Sequence, residues 1–162
     1  MTTTLRRTLL ASAFAGSVAA LVTLSGCGMM PGSDKSSSMA MPASDSTRFS
    51  AMLSSAAEVP PNSSAGTGTL DATLNKSTNV LKWTVTYSGL SGPATMAHFH
   101  GPAMPGSNAG VVVPFASAAS PIQGETTLNA LQIADLTAGK WYANVHTAAN
   151  PGGEIRGQVM MK

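Results

Sequence analysis

From Arg48 onward, apolar and polar residues alternate along the chain with a period of two. That is the repeat of a strand with one buried face. It predicts strands over Phe49–Ser55, Gly68–Leu74, Val80–Leu90, Ala94–Gly101, Gly110–Phe115, Gln123–Leu128, Trp141–Thr147 and Glu154–Met160. Turn-forming clusters separate most of them: Pro60-Pro61-Asn62, Gly92-Pro93, Pro105-Gly106-Ser107-Asn108 and Asn150-Pro151-Gly152-Gly153. One segment, Asn129–Leu136, reads as a short helix, with Gly139 placed to end it. Trp83, Val85 and Tyr87 alternate with Lys82, Thr84 and Thr86, which sends the large side chains to one face. The expected fold is all-β: an antiparallel Greek-key sandwich or barrel of about eight strands with one short helical segment.

The first 47 residues follow another pattern. Arg6 and Arg7 precede an uncharged, Ala-rich run from Thr8 to Leu24, the build of a secretory signal. The run ends in Leu24-Ser25-Gly26-Cys27, which resembles the bacterial lipobox. The single Cys of the chain stands where that motif places the lipidated residue. Residues 1–26 are therefore expected to be a lipoprotein signal peptide and Cys27 a membrane anchor. Gly28 after the Cys resembles lipoproteins sorted to an outer membrane. The expected location is the cell envelope, on an outer membrane facing the periplasm or the cell surface. Residues 27–47 are dominated by Ser, Pro, Gly and Ala and read as a flexible linker with an r.m.s. reach of roughly 25 Å. Met29, Met30, Met39 and Met41 lie in it, either as incidental composition or as thioether ligands for Cu(I). Residues 48–162 form the β domain.

Composition narrows the function. The chain has 162 residues, room for one domain with extensions. Its formal net charge of +2 comes from Arg6 and Arg7, so cleavage before Cys27 leaves equal numbers of basic and acidic residues. Nothing remains to hold nucleic acid electrostatically. A single Cys excludes an intramolecular disulfide. No nucleophile–base motif stands out, and Gly66-Thr67-Gly68 and Gly152-Gly153 are turn glycines rather than a phosphate loop.

The three histidines are more informative. In Met96-Ala97-His98-Phe99-His100, strand alternation turns Ala97 and Phe99 one way and Met96, His98 and His100 the other. Histidines at i and i+2 on one strand have Cα atoms roughly 6.5–7 Å apart, close enough to converge on an ion. Tyr142, Asn144 and His146 share the polar side of a second strand, and Glu154, Arg156 and Gln158 that of a third. If the strands are neighbours, one patch gathers His98, His100, His146, Glu154 and Arg156. The alternative is three separate surface histidines. Neutral imidazoles suit Cu and Zn. Met96 offers a soft sulfur for Cu(I) or simply packs, and Met104 in the following loop is a further sulfur. Glu154 and Arg156 either orient an imidazole and balance charge or pair with each other.

The same residues carry a resemblance. Glu58-Val59-Pro60-Pro61, Ala97-His98-Phe99-His100-Gly101, Tyr142-Ala143-Asn144-Val145-His146-Thr147 and Pro151-Gly152-Gly153-Glu154-Ile155-Arg156-Gly157-Gln158 resemble the successive signatures of the CHRD domain, named from chordin and widespread in bacterial secreted proteins. The resemblance runs from about Phe49 to Met160. More loosely, His98, His100, His146 and Arg156 follow the order of the copper ligands and anion-guiding Arg of Cu/Zn superoxide dismutase, also a Greek-key barrel. This chain lacks candidates for the bridging His, the remaining zinc histidines and the disulfide. That resemblance implies at most a mononuclear copper site. The expected function is a lipid-anchored, copper-binding protein in copper storage, handling or homeostasis, with a copper-delivery or envelope protein as partner. The other readings are a metal-free structural or adhesion-type protein-binding module and a dismutase-like copper enzyme.

Overall fold

The computed structural model describes residues 45–162. The expected signal peptide, Cys27 and the linker as far as residue 44 lie outside the described residues. Strands β1 (Ser46–Ser54), β2 (Thr67–Asn75), β3 (Val80–Ser88), β4 (Ala94–His100), β5 (Val111–Pro114) and β6 (Ile122–Thr127) are followed by helix α1 (Ala130–Thr137). β7 (Tyr142–Thr147), β8 (Ile155–Gln158) and the short β9 (Met160–Met161) complete the chain. A 3-10 turn at Ser55–Ala57 leaves β1.

Each expected strand has an observed counterpart, and the differences at the ends have local causes. β3 stops at Ser88 rather than Leu90 because Gly89 takes φ +70 and turns the chain. The last strand divides at Val159, whose N–H donates to the Trp141 carbonyl (2.8 Å) in continuation of the β7–β8 register, after which Met160 and Met161 pair with β1. Helix α1 begins where a capping box satisfies its first N–H groups. Asn129 Oδ1 accepts from the Gln132 N–H and Gln132 Oε1 accepts from the Asn129 N–H, both at 2.9 Å. Gly139 at φ +68 ends the segment. Among the described residues no helix is long and apolar enough to cross a membrane.

The strands form one antiparallel sheet in the order β5-β4-β7-β8-β1-β2-β3-β6, with β9 also on β1. β1, β2 and β3 run as a meander, and β8 returns from the far end of the chain to lie beside β1. Although β4 and β3 are far apart along this order, Phe99 of β4 meets Trp83 of β3 edge-on at 5.2 Å. The sheet therefore curls on its apolar face into a half-barrel instead of splitting into two stacked sheets. Phe49, Leu70, Leu81, Val85, Val145 and Ile155 fill the hollow at 1% exposure or less. Phe99 lies against Trp83, Phe115 and Trp141.

Two glycines permit the close packing that positions the site. A Cβ on Gly157 would collide with the Met52 carbonyl, so only glycine lets β8 lie this near β1. A Cβ on Gly124 would enter the Trp83 ring. Because Phe99 is fully buried between the two histidines of β4, Phe99→Ala is expected to cost about 3–5 kcal/mol of stability. Urea denaturation of the variant beside the parent protein measures this.

Candidate metal centre

Antiparallel register converts the alternation on three strands into a grid of polar side chains. On β4 and β7 the pairs are Met96 with His146, His98 with Asn144, and His100 with Tyr142. On β7 and β8, Asn144 pairs with Arg156 and Tyr142 with Gln158. The opposite face carries Ala97, Phe99, Ala143, Val145 and Ile155 into the core. Each polar residue is thus held from behind by an apolar neighbour that cannot leave the interior without cost.

Loops cover part of this face. His100 and His146 are only 9% and 6% exposed, while His98 is partly open. One ring nitrogen from each of His98, His100 and His146 lies within 4.8 Å of the others. His98 Nδ1 and His146 Nε2 are 3.2 Å apart. The outer nitrogens of the two buried rings are committed. His100 Nδ1 lies 3.0 Å from the Ala109 carbonyl and His146 Nδ1 lies 3.0 Å from the Pro151 carbonyl. A carbonyl only accepts, so both Nδ1 atoms carry the proton. In the neutral rings, Nε2 is then the lone-pair atom, and both Nε2 atoms point into the cluster. A backbone carbonyl that fixes the tautomer in this way is the usual support of a metal-ligating histidine.

Electrostatics act in the same direction. Burial lowers the pKa of His98 below the ordinary imidazole value, and the neighbouring His146 and His100 lower it further. Burial also lowers that of His146, with the Pro151 carbonyl opposing and His100 reinforcing. At neutral pH these rings are uncharged and their lone pairs free for a cation.

Asn144 lies at the centre of the grid and is 3% exposed. Its Oδ1 is 3.0 Å from His100 Nε2 and 3.0 Å from His146 Nε2. The alternation on β7 had placed Asn144 on the polar side, but composition alone gave no reason to rank it with the histidines. Its amide also hydrogen-bonds to Glu58, a carboxyl only 5% exposed. Burial raises the Glu58 pKa to about 7, against the opposing effects of the Arg156 charge, the Val59 N–H and the Asn144 amide. Its Oε1 is buried without a close hydrogen-bond partner. Gly153, at φ +131, passes directly over Glu58 and Asn144, where any Cβ would collide with both.

Arg156 does not touch an imidazole directly. Its guanidinium lies 3.4 Å above the centre of the Tyr142 ring, and Tyr142 stacks parallel to His100 at 4.7 Å. The cation thus braces His100 through an intervening aromatic ring. Nη1 and Nη2 of Arg156 donate to Asn108 Oδ1 (2.9 Å) and the Ser107 carbonyl (2.6 Å), tying the 101–110 loop down. The Tyr142 hydroxyl in turn donates to the Ala109 carbonyl at 3.3 Å.

Glu154 is fully buried, and hydroxyl and amide groups surround its carboxylate. Ser64 Oγ and the Ser91 N–H donate to Oε1, while Ser91 Oγ and Thr147 Oγ1 donate to Oε2. It clamps two loops to the end of β7 and pairs with neither Arg156 nor an imidazole. Met96 is 49% exposed, and Met104 is 60% exposed. The three imidazole nitrogens converge whether or not either sulfur takes part.

Comparison with known proteins agrees with the order of these motifs. The family model for the CHRD domain matches residues 49–159, from β1 to the residue between β8 and β9. No curated protein and no solved structure matches the chain.

Although burial alone would raise the pKa of Glu154, hydrogen bonds from Ser64, Ser91 and Thr147 outweigh it and hold the value near 2, below the ordinary 4.5. A carboxylate depressed in the folded state stabilises the protein fully above its unfolded pKa. That contribution is lost as the pH falls from about 4.5 toward 2. Glu154→Gln places an amide NH2 among donors and is expected to cost about 3 kcal/mol or more at neutral pH. Denaturation midpoints measured between pH 7 and pH 3 are expected to converge for parent and variant toward the acid end.

Proposed function

The chain belongs to the CHRD domain family, and on that footing we propose that it is a lipid-anchored, copper-binding protein of the cell envelope. His98, His100 and His146 are the ligands, and storage or hand-over of copper is the task. One observation carries this reading: two backbone carbonyls accept from the outer N–H groups of His100 and His146, so that the inner nitrogens of both rings present lone pairs to a cluster in which one nitrogen from each of the three histidines lies within 4.8 Å of the others. A merely solvated histidine face has no need of such fixed tautomers. Imidazole ligands suit Cu and Zn alike. Among the divalent ions copper is bound more tightly than zinc by a given nitrogen site.

Binding is favoured over superoxide turnover by the state of Arg156. It is 2% exposed, and its guanidinium is engaged by Asn108, Ser107 and Tyr142. An anion arriving from solvent finds no free cation there to guide it.

Anchoring rests on Cys27 and the apolar run before it, both outside the described residues. On this reading, Cys27→Ala abolishes incorporation of labelled fatty acid and moves the protein from the membrane fraction to the soluble fraction. Retention of both label and membrane association would remove the anchor from the proposal.

Calorimetric titration of the purified protein with Cu(II), and with Cu(I) under anaerobic conditions, is expected to show one strong site. His98→Ala/His146→Ala is expected to lower its affinity by at least about 100-fold. Unchanged binding in the double variant overturns the assignment of these ligands.

A further inference from the structure

Building on the copper reading, we propose that Asn144 supplies the fourth ligand through its side-chain oxygen, and that Glu58 is the positioning residue that aims it. The centre is then a set of three imidazole nitrogens and one amide oxygen, matched to oxidised copper.

The argument starts from an excess of acceptors. His100 and His146 have their Nδ1 protons committed to Ala109 and Pro151, so each Nε2 presents a lone pair. Both Nε2 atoms lie 3.0 Å from Asn144 Oδ1, which also only accepts. Three lone-pair atoms therefore face one another at hydrogen-bond distance with no proton between them. Buried acceptors so arranged repel unless a cation joins them.

The spacing suits a metal. Bonds of about 2.0–2.2 Å, at angles between square and tetrahedral, separate adjacent ligand atoms by about 2.8–3.6 Å. Asn144 Oδ1 to His100 Nε2, Asn144 Oδ1 to His146 Nε2, and His146 Nε2 to His98 Nδ1 measure 3.0, 3.0 and 3.2 Å. All three fall in that window. Mutually hydrogen-bonded side chains share such distances, but here the donors they would need are absent on two of the three edges.

The orientation of the amide follows from its other end. An amide has one accepting and one donating side. Asn144 turns its nitrogen to the Glu58 carboxyl, which leaves the oxygen facing the imidazoles. The bare backbone of Gly153 closes over the pair and leaves no room for either to swing out. Glu58 thus acts on the metal only through Asn144.

A carbonyl oxygen is a harder donor than imidazole or thioether. It adds affinity for Cu(II) and little for Cu(I), so it sets which oxidation state the site prefers. Exposed Met96, which would favour the reduced ion, is not needed to complete the set.

Competition titrations with Cu(II) and with Cu(I) on the parent protein, Asn144→Ala and Asn144→Asp test this. Asn144→Ala is expected to weaken Cu(II) binding about 30-fold and Cu(I) binding less than about threefold. The midpoint potential then rises by about 60–90 mV for a one-electron couple. Asn144→Asp keeps an oxygen in the same place, adds charge, and is expected to raise the preference for Cu(II) over Cu(I). Equal losses in both oxidation states for Asn144→Ala, or no loss in either, overturn the proposal. Should the Ala variant not fold, an unchanged Cu(II)/Cu(I) preference in the isosteric Asp variant overturns it equally. Failure of the underlying reading looks different: the parent protein binds neither ion, or His98→Ala/His146→Ala binds both as before.

Discussion

Antiparallel pairing of β4 with β7 and of β7 with β8 underlies everything else in this molecule. Side chains on a strand alternate between faces, so register decides which residues meet. With His98 opposite Asn144 and Asn144 opposite Arg156, the core side carries Ala97, Phe99, Ala143, Val145 and Ile155. A slip of one residue would expose these groups and bury imidazoles in the half-barrel. The burial of Phe99 against Trp83, Phe115 and Trp141 holds the register in place. The geometry of the imidazole cluster is thus secured from the opposite side of the sheet.

The polar side is organised by loops. The 101–110 loop brings the Ala109 carbonyl to His100, and the 150–153 turn brings the Pro151 carbonyl to His146. The first of these loops is itself tied down by a buried charged group, and a second buried charge clamps two other loops to the end of β7. Arg156 holds Ser107 and Asn108, and Glu154 holds Ser64, Ser91 and Thr147. Buried charges of this kind are tolerated because several hydrogen bonds replace water around them. Glu58 differs: its carboxyl is buried with one oxygen poorly satisfied, and its pKa moves up to about 7. An incompletely satisfied acid beside Asn144 marks this corner as the part of the fold arranged for something other than stability.

The polar grid also explains why residues of similar character along one strand face have different tasks. Glu154 and Arg156 are two residues apart, yet one clamps loops and the other braces His100 through Tyr142. Position across the sheet, rather than chemical type, separates them. Asn144 gains its place at the centre in the same way, as the residue of β7 that pairs with His98 and lies between the other two histidines.

Much of this was legible along the chain. Period-two alternation placed the strands to within a few residues, Asn129 and Gly139 bounded the helix, and alternation put all three histidines on polar faces. These features are local, set by backbone geometry and by which side chains avoid water. The sequence did not reveal that β4, β7 and β8 are consecutive neighbours, or that β3 curls over to meet β4. It also did not reveal the carbonyls of Ala109 and Pro151, since every residue has a carbonyl and only the path of a loop aims one. The linear pattern by itself therefore determined the elements and the faces of their side chains. Only the tertiary structure decided which polar residues converge, because strand order and loop paths depend on contacts between segments up to about a hundred residues apart, such as Ser54 with Arg156.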